Sequence, residues 1–248
     1  MKRIFFLLAL SCLFQHVNAQ AGDAANNEHY IPFTIIKWNP SSLYFGKIGL
    51  MGEYNFKKKK SVTFNIGIPI SKTTSVRIDD KDREVEMKTF SVMGGYRMYL
   101  GNAAMAGMYF EPYLKYVKSD GSTILDTDLD GKPTNFATTS AYKGFGVGAQ
   151  LGVQFLIAKR VVIDFFFLGP EANSATHKVV MHDITSTDPW DAQDAADAQA
   201  EINSSIGDLP IIGDKLNVVV DPNAKTVSSD YSGFLPGLRF GLSIGVRF

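Results

Sequence analysis

The sequence predicts an all-β fold: an eight-stranded antiparallel up-and-down β-barrel that crosses a membrane and carries long loops at one end. Three observations lead there. Eight segments alternate apolar and polar residues with period two, the mark of a strand with unlike faces. Their connections sort into tight turns at one end and mostly longer loops at the other. After residue 19, no stretch reads as a membrane helix, which would need roughly 20 apolar residues.

The first element, 31–38 (IPFTIIKW), is short. In 43–56, Ile48, Leu50, Tyr54 and Phe56 oppose Lys47, Gly49, Glu53 and Asn55. In 61–70, Val62, Phe64, Ile66, Ile68 and Ile70 oppose Thr63, Asn65 and Gly67. In 88–100, Phe90, Val92, Tyr96, Met98 and Leu100 oppose Thr89, Ser91, Gly95 and Arg97. In 108–118, Met108, Phe110, Leu114 and Tyr116 oppose Glu111, Tyr113 and Lys115. The segment 141–157 sets Phe145, Val147, Leu151, Val153, Phe155 and Ile157 against a polar parity rich in glycine. In 160–169, Val161, Ile163, Phe165 and Phe167 oppose Val162, Asp164 and Phe166. The last, 234–248, runs apolar from Leu238 to Phe248 on one parity, with Arg239 and Arg247 on the other.

Residues 57–60, 101–107 and 158–159 read as tight turns, and about 71–84, 119–140 and 170–233 as longer loops; 39–42 is a short exception. Both termini of the chain are then expected on the tight-turn rim, and the strand number is even. A soluble sandwich would have shorter strands and less consistently sorted connections. Glycine on the polar parity suits the crowded inside of a small closed sheet.

Residues 1–19 (MKRIFFLLALSCLFQHVNA) have the charged start, short apolar run and small-residue end of a secretory signal peptide, leaving 20–248 as the barrel. The single cysteine, Cys12, offers a lipoprotein reading, but with an unusually short leader. Once Cys12 is removed, the chain has neither disulfides nor a thiol nucleophile. Lys plus Arg balance Asp plus Glu at 25 each, so loss of Lys2 and Arg3 leaves a charge of about two negative. That gives no electrostatic case for nucleic acid.

The stretches IIKWNPSSLYFGKIGLMGEYNF, KKKKSVTFNIGI, FEPYLKY, GVGAQLGVQF and GLSIGVRF resemble small outer-membrane β-barrel proteins. The likeness is closest to a family common in Bacteroidota and looser to OmpX- and OmpW-type barrels. It implies the outer membrane of a Gram-negative bacterium, with membrane lipid as surroundings. It also implies that Phe248 is the signal by which the outer-membrane assembly machinery takes up the last strand. It implies no catalytic residue and no cofactor.

With the apolar parity facing lipid, Glu53, Arg97, Glu111, Asp164 and Arg247 form a charged layer inside the barrel near the tight-turn rim, with Lys37, Lys115 and Arg239 higher. Eight strands leave room only for the barrel's own side chains, so opposite charges there pair and close the lumen. The competing reading is an ion or proton path.

Asp126, Asp128, Asp130 and Gly131 match the opening of a calcium loop, but Ala137 stands where a bidentate Glu should complete it. An acidic turn is the plainer reading. In 170–233, Asp188-Pro189 suits a helix start and Gly207 a stop.

Of the four histidines, His16 leaves with the leader, His29 is in the N-terminal tail, and His177 and His182 are in the long loop. None falls on an expected membrane strand, so the spacing favours no Ser/His hydrolase. The expected role is a structural or surface-interaction barrel, its specificity and any extracellular ligand or protein partner belonging to the loops. The alternatives are an OmpW-like conduit for small apolar molecules and an outer-membrane hydrolase of lipid A deacylase or protease type.

Overall fold

The computed structural model describes residues 31–78, 81–129, 132–185, 189–193, 195–196, 199 and 216–248. The expected leader 1–19, with Cys12 and His16, lies outside them, as do His29, Asp130, Gly131, Asp188 and Gly207. Among the described residues ten strands form: β1 (Phe33–Asn39), β2 (Lys47–Lys57), β3 (Lys60–Pro69), β4 (Lys72–Ile78), β5 (Lys81–Tyr99), β6 (Gly107–Leu129), β7 (Lys132–Ile157), β8 (Val161–Asp183), β9 (Leu216–Asp221) and β10 (Thr226–Arg247). Eight of them close an antiparallel ring in the order β1-β2-β3-β5-β6-β7-β8-β10, with β10 pairing back onto β1. The remaining two are additions to its far end, β4 on β5 and β9 on β10.

The eight-strand ring matches the expectation, but the long loops do not. The segments read as loops at 71–84 and 119–140 are largely strand, and the one at 170–233 holds the end of β8, all of β9 and the start of β10. Strands β6 and β7 stay paired as far as Leu129↔Lys132, and β8 and β10 as far as His182↔Thr226. β8 therefore runs on to Asp183 and β9 begins at Leu216, both inside the segment read as a loop. A bulge is the local cause on β8. Leu168 takes a left-handed φ of 51°, and pairing with β10 shifts between Arg239 and Gly241. Inward residues are even-numbered before it (Val162, Asp164, Phe166) and odd-numbered after it (Glu171, Asn173, Ala175). One extra residue reverses the parity, so the alternation breaks in the sequence while the strand continues.

The strands are inclined within the ring. Register partners followed round from Lys37 run Met51, Asn65, Met93, Lys115, Gly146, Asn173 and Leu235, whereas Lys37 itself pairs with Gly245. Such a stagger is what tilt in a closed sheet requires. The stagger also brings inward side chains from distant parts of the chain to one height.

The inward face is polar and aromatic, and the outward face is apolar. Glu53, Arg97, Glu111, Gln150, Gln154 and Asp164 are buried, while Phe64, Leu114, Phe145, Phe155 and Phe240 are exposed. The inward glycines face bulky neighbours. A Cβ on Gly152 would sit 2.3 Å from the Tyr109 ring directly across β6–β7, and one on Gly148 would sit 2.6 Å from Tyr113. Both tyrosines enter the interior only because no side chain opposes them.

At the near end, β2–β3, β5–β6 and β7–β8 are joined by short connections, as expected. At the far end a single 3-10 turn, Pro40–Phe45, links β1 to β2. It closes on Gly46 at φ +63°, where any Cβ would strike the Met87 carbonyl at 2.2 Å. The Gly46 carbonyl accepts the Ile70 and Thr89 amides, which fixes the turn against β3 and β5.

Candidate functional site

Four of the five residues expected in the charged layer meet inside the ring at its near end. The Arg97 guanidinium donates from Nε and Nη2 to Glu111 Oε2 at 2.9 and 2.7 Å, and from Nη1 to Asp164 Oδ2 at 2.9 Å and Glu53 Oε2 at 3.2 Å. Its Cζ lies 3.7 Å from the Tyr109 ring centroid. The short turns place these groups. Glu53 precedes the β2–β3 turn by a few residues, and Glu111 and Asp164 follow the starts of β6 and β8 by a few.

Lys37 belongs to this layer, not above it as expected. Its ammonium uses all three protons, on Glu53 Oε2 at 2.7 Å, Asp164 Oδ2 at 2.7 Å and Gln154 Oε1 at 2.5 Å. The reason is the start of β1 at Phe33, which leaves Lys37 as close to the near rim as Glu53 is. Arg247 does not join the layer. Its guanidinium lies 3.5 Å from the centroid of the Phe33 ring, because β10 pairs Arg247 with Ile35, two residues nearer the rim than Lys37.

The remaining lone pairs of the carboxylates are taken by neutral donors. Tyr99 and Ser61 hydroxyls donate to Glu53 Oε1, Tyr109 to Asp164 Oδ1, and Thr63 to Glu111 Oε1. Gln150 Nε2 donates to Glu111 Oε2, and Gln154 Nε2 to the Met105 carbonyl. Buried charges persist only with this degree of pairing. The result is a hydrogen-bonded floor of two cations and three carboxylates, all fully buried.

Above the floor is a chamber of about 310 Å³, whose lining includes Lys47, Lys115, Glu171, Arg239, Ser91 and Phe166. Lys115 and Arg239 stand above the layer, as expected. Lys115 pairs with Glu171, whose other carboxylate oxygen accepts from Tyr113 at 2.9 Å. Lys47 donates to Ser91 Oγ at 2.9 Å, and Arg239 donates to Gln150 Oε1 at 3.0 Å and to the Met93 sulfur.

The far end holds the other expected sites. The calcium-loop segment is a strand: β6 runs through Asp126 and Asp128, in an extended ladder where a calcium loop curls its ligands round the ion. Asp126 Oδ1 accepts from Arg83 Nη1 at 2.6 Å, and Arg83 Nη2 donates to the Asp126 carbonyl at 2.8 Å. Among the described residues, no cluster of His, Cys, Asp and Glu is placed to hold a metal ion.

Sequence reasoning missed two features here. His177 Nε2 lies 2.8 Å from Ser140 Oγ, a contact made by adjacent strands and invisible in sequence spacing. Burial pushes the His177 imidazole below the usual histidine range. Its ring packs edge-on to Tyr142 at 6.2 Å. His182 instead faces the Ala224 carbonyl at 3.1 Å. The second feature is a small core in which Trp190 packs on Phe136 and Val227 and donates from Nε1 to Asp183 Oδ2 at 2.9 Å. Residues 192–193, 195–196 and 199 are helical, and the Ala195 amide bonds to the Asp191 carbonyl.

Phe248 exchanges backbone hydrogen bonds with Thr34, and its ring is 71% exposed on the outer face. No family model, curated protein or solved structure matches this chain.

Proposed function

We propose that this protein is an outer-membrane β-barrel of a Gram-negative bacterium with a structural or surface-interaction role, its lumen shut by its own charges. The single observation that carries this reading is the floor, where Lys37 and Arg97 join Glu53, Glu111 and Asp164 across the interior. No side chain in it is left to an aqueous path, and eight-stranded rings are narrow enough to be filled this way.

The outer face supports the membrane. Outward side chains are apolar from Met108 to Tyr116 on β6, from Phe145 to Ile157 on β7 and from Val161 to Leu168 on β8. Beyond that height Lys88, Lys118, Lys143 and Ser174 point outward and are exposed. An apolar belt of this extent, bordered by Trp38, Tyr44 and Tyr116 on one side and Tyr54, Phe155 and Phe248 on the other, suits a bilayer with its aromatic girdles. The far-end extensions of β5–β8 and β10, with β4 and β9, then stand outside the cell and present any partner surface. Phe248, at the periplasmic rim, is the contact for the assembly machinery.

The test is single-channel recording from purified protein in planar bilayers. The expected outcome is no stable selective current. A large selective current in the wild type, lost in Arg97→Ala, would overturn the closed floor. The conduit alternative draws on β10, whose residues 232–241 have no strand partner on their β1-facing edge among the described residues. The chamber behind that edge is lined by Lys47, Lys115, Glu171 and Arg239 as well as by Phe45, Phe166, Leu238 and Phe240, so it is not a wholly apolar path.

A further inference from the structure

We infer that the chamber above the charged floor is a binding site for an anionic group of carboxylate or phosphate size. It deepens the reading above only in using the floor as the bottom of the site.

Charge balance is the first ground. The charged residues lining the chamber are three cations, Lys47, Lys115 and Arg239, against one carboxylate, Glu171. Glu171 is committed to Lys115 and Tyr113. The floor carries one more carboxylate than cations and offsets one unit of the excess, through Gln150, which links Arg239 to Glu111. One positive unit stays uncompensated in a chamber that is partly open. Partly buried charge of that kind is stabilised by a counter-charge.

The second ground is the set of donors. Lys47 and Arg239 reach the chamber from β2 and β10, the strands on either side of β1, and hydrogen-bond only to neutral groups among the described residues: Ser91, Gln150 and Met93. Phe166 lies against the Arg239 guanidinium, 4.5 Å from ring centroid to Cζ, and holds its plane in place. Two cations held this way, with the Ser91 hydroxyl in the same lining, give an anion charge-assisted hydrogen bonds. The volume, about 310 Å³, suits a head group rather than a large ligand.

The third ground concerns the source. Phe45, Leu238 and Phe240 line the same chamber where it meets the unpaired edge of β10. An amphiphile can seat its anionic head among the cations with its chain beside these side chains; a free anion can enter from the far end.

The experiment is isothermal titration of the full-length barrel in a neutral detergent with octyl phosphate, inorganic phosphate and octanol. Saturable binding of octyl phosphate is expected, with octanol silent, and Lys47→Gln/Arg239→Gln weakening it at least about tenfold. Inorganic phosphate that displaces octyl phosphate at similar concentration identifies a free anion as the occupant; displacement only at far higher concentration identifies the amphiphile. Both support the site. Equal binding of octanol, no saturable binding of either phosphate, or unchanged affinity in the folded double variant would each overturn it. Should that variant not fold, the wild type decides: binding that does not weaken with added salt counts against the site. Channel recordings play no part, so this test can fail while the closed floor stands.

Discussion

Two cations, Lys37 and Arg97, lean on the same atom: Asp164 Oδ2 accepts from the Lys37 ammonium at 2.7 Å and from Arg97 Nη1 at 2.9 Å. They share Glu53 Oε2 in the same way. Like charges this close stay together only through the carboxylates between them, so the floor is one unit rather than a set of independent pairs.

That unity predicts how it breaks. Arg97→Ala leaves Glu111 without its cation and removes a shared partner from Glu53 and Asp164. The expected loss is about 3–5 kcal/mol, the range for breaking a buried ion pair from one side. Arg247→Ala removes a cation–π contact at the rim and is expected to cost about 1 kcal/mol or less. Urea midpoints in detergent compare the two, and a larger loss in Arg247→Ala would contradict the arrangement.

The β7–β8 turn stores strain that can be relieved. Ala158 and Lys159 both hold left-handed φ, 49° and 60°, in a turn closed by the Arg160 amide on the Ile157 carbonyl, as the two central residues of a type I′ turn do. For residues bearing a Cβ this costs roughly 1–2 kcal/mol each. Ala158→Asn with Lys159→Gly is expected to raise stability by about 1–2 kcal/mol, read from the same urea midpoints. No gain would mean the turn is not held in this form.

The strands that carry outward apolar stripes were legible in the sequence, and so was most of the floor. Counting from tight turns was enough to place Glu53, Arg97, Glu111 and Asp164 at one height. It failed for Lys37 and Arg247, because those heights depend on where β1 begins, and 31–38 is too short to reveal that. The far-end strands escaped for another reason. Along 119–129 most residues are polar or small and the few apolar ones, Ile124, Leu125 and Leu129, fall on both parities, so period two loses its contrast. At Phe167-Leu168-Gly169-Pro170 the bulge reverses parity just where Gly-Pro reads as a stop. The chamber and the Ser140–His177 contact depend on register between strands, which no single segment encodes.

The Asp183–Trp190 contact predicts a pH response at the far end. Burial alone would raise the Asp183 carboxyl, but hydrogen bonds from the Thr185 amide and the Trp190 ring, with Lys225 nearby, hold it below the usual carboxylate range. A carboxyl lowered by folding contributes stability that is fully present above about pH 4 and is lost as pH falls through the folded value. In a Trp38→Phe background, Trp190 emission is expected to shift to the red on acidification below about pH 4. Asp183→Asn is expected to show much of that shift already at neutral pH. An identical acid transition in both proteins would place the titrating group elsewhere.

Among the described residues, the Ser140–His177 contact is the one arrangement that favours a hydrolase, and its surroundings argue for a structural role. A nucleophilic serine needs a base held by a third group, together with donors aimed at a developing oxyanion. The His177 ring meets Tyr142 edge-on, and no carboxylate hydrogen-bonds to it among the described residues. The backbone there is committed to the β7–β8 and β8–β10 ladders, where His177 pairs with Tyr142 and Tyr231. Ser140→Ala is therefore expected to cost about 1 kcal/mol of stability, the scale of one hydrogen bond, and to leave acyl-ester turnover at the detergent blank. The assay is release of nitrophenol from short and long acyl esters by wild type, Ser140→Ala and His177→Ala. Turnover by the wild type, abolished in both variants while each stays folded, would make this pair catalytic and the barrel an enzyme.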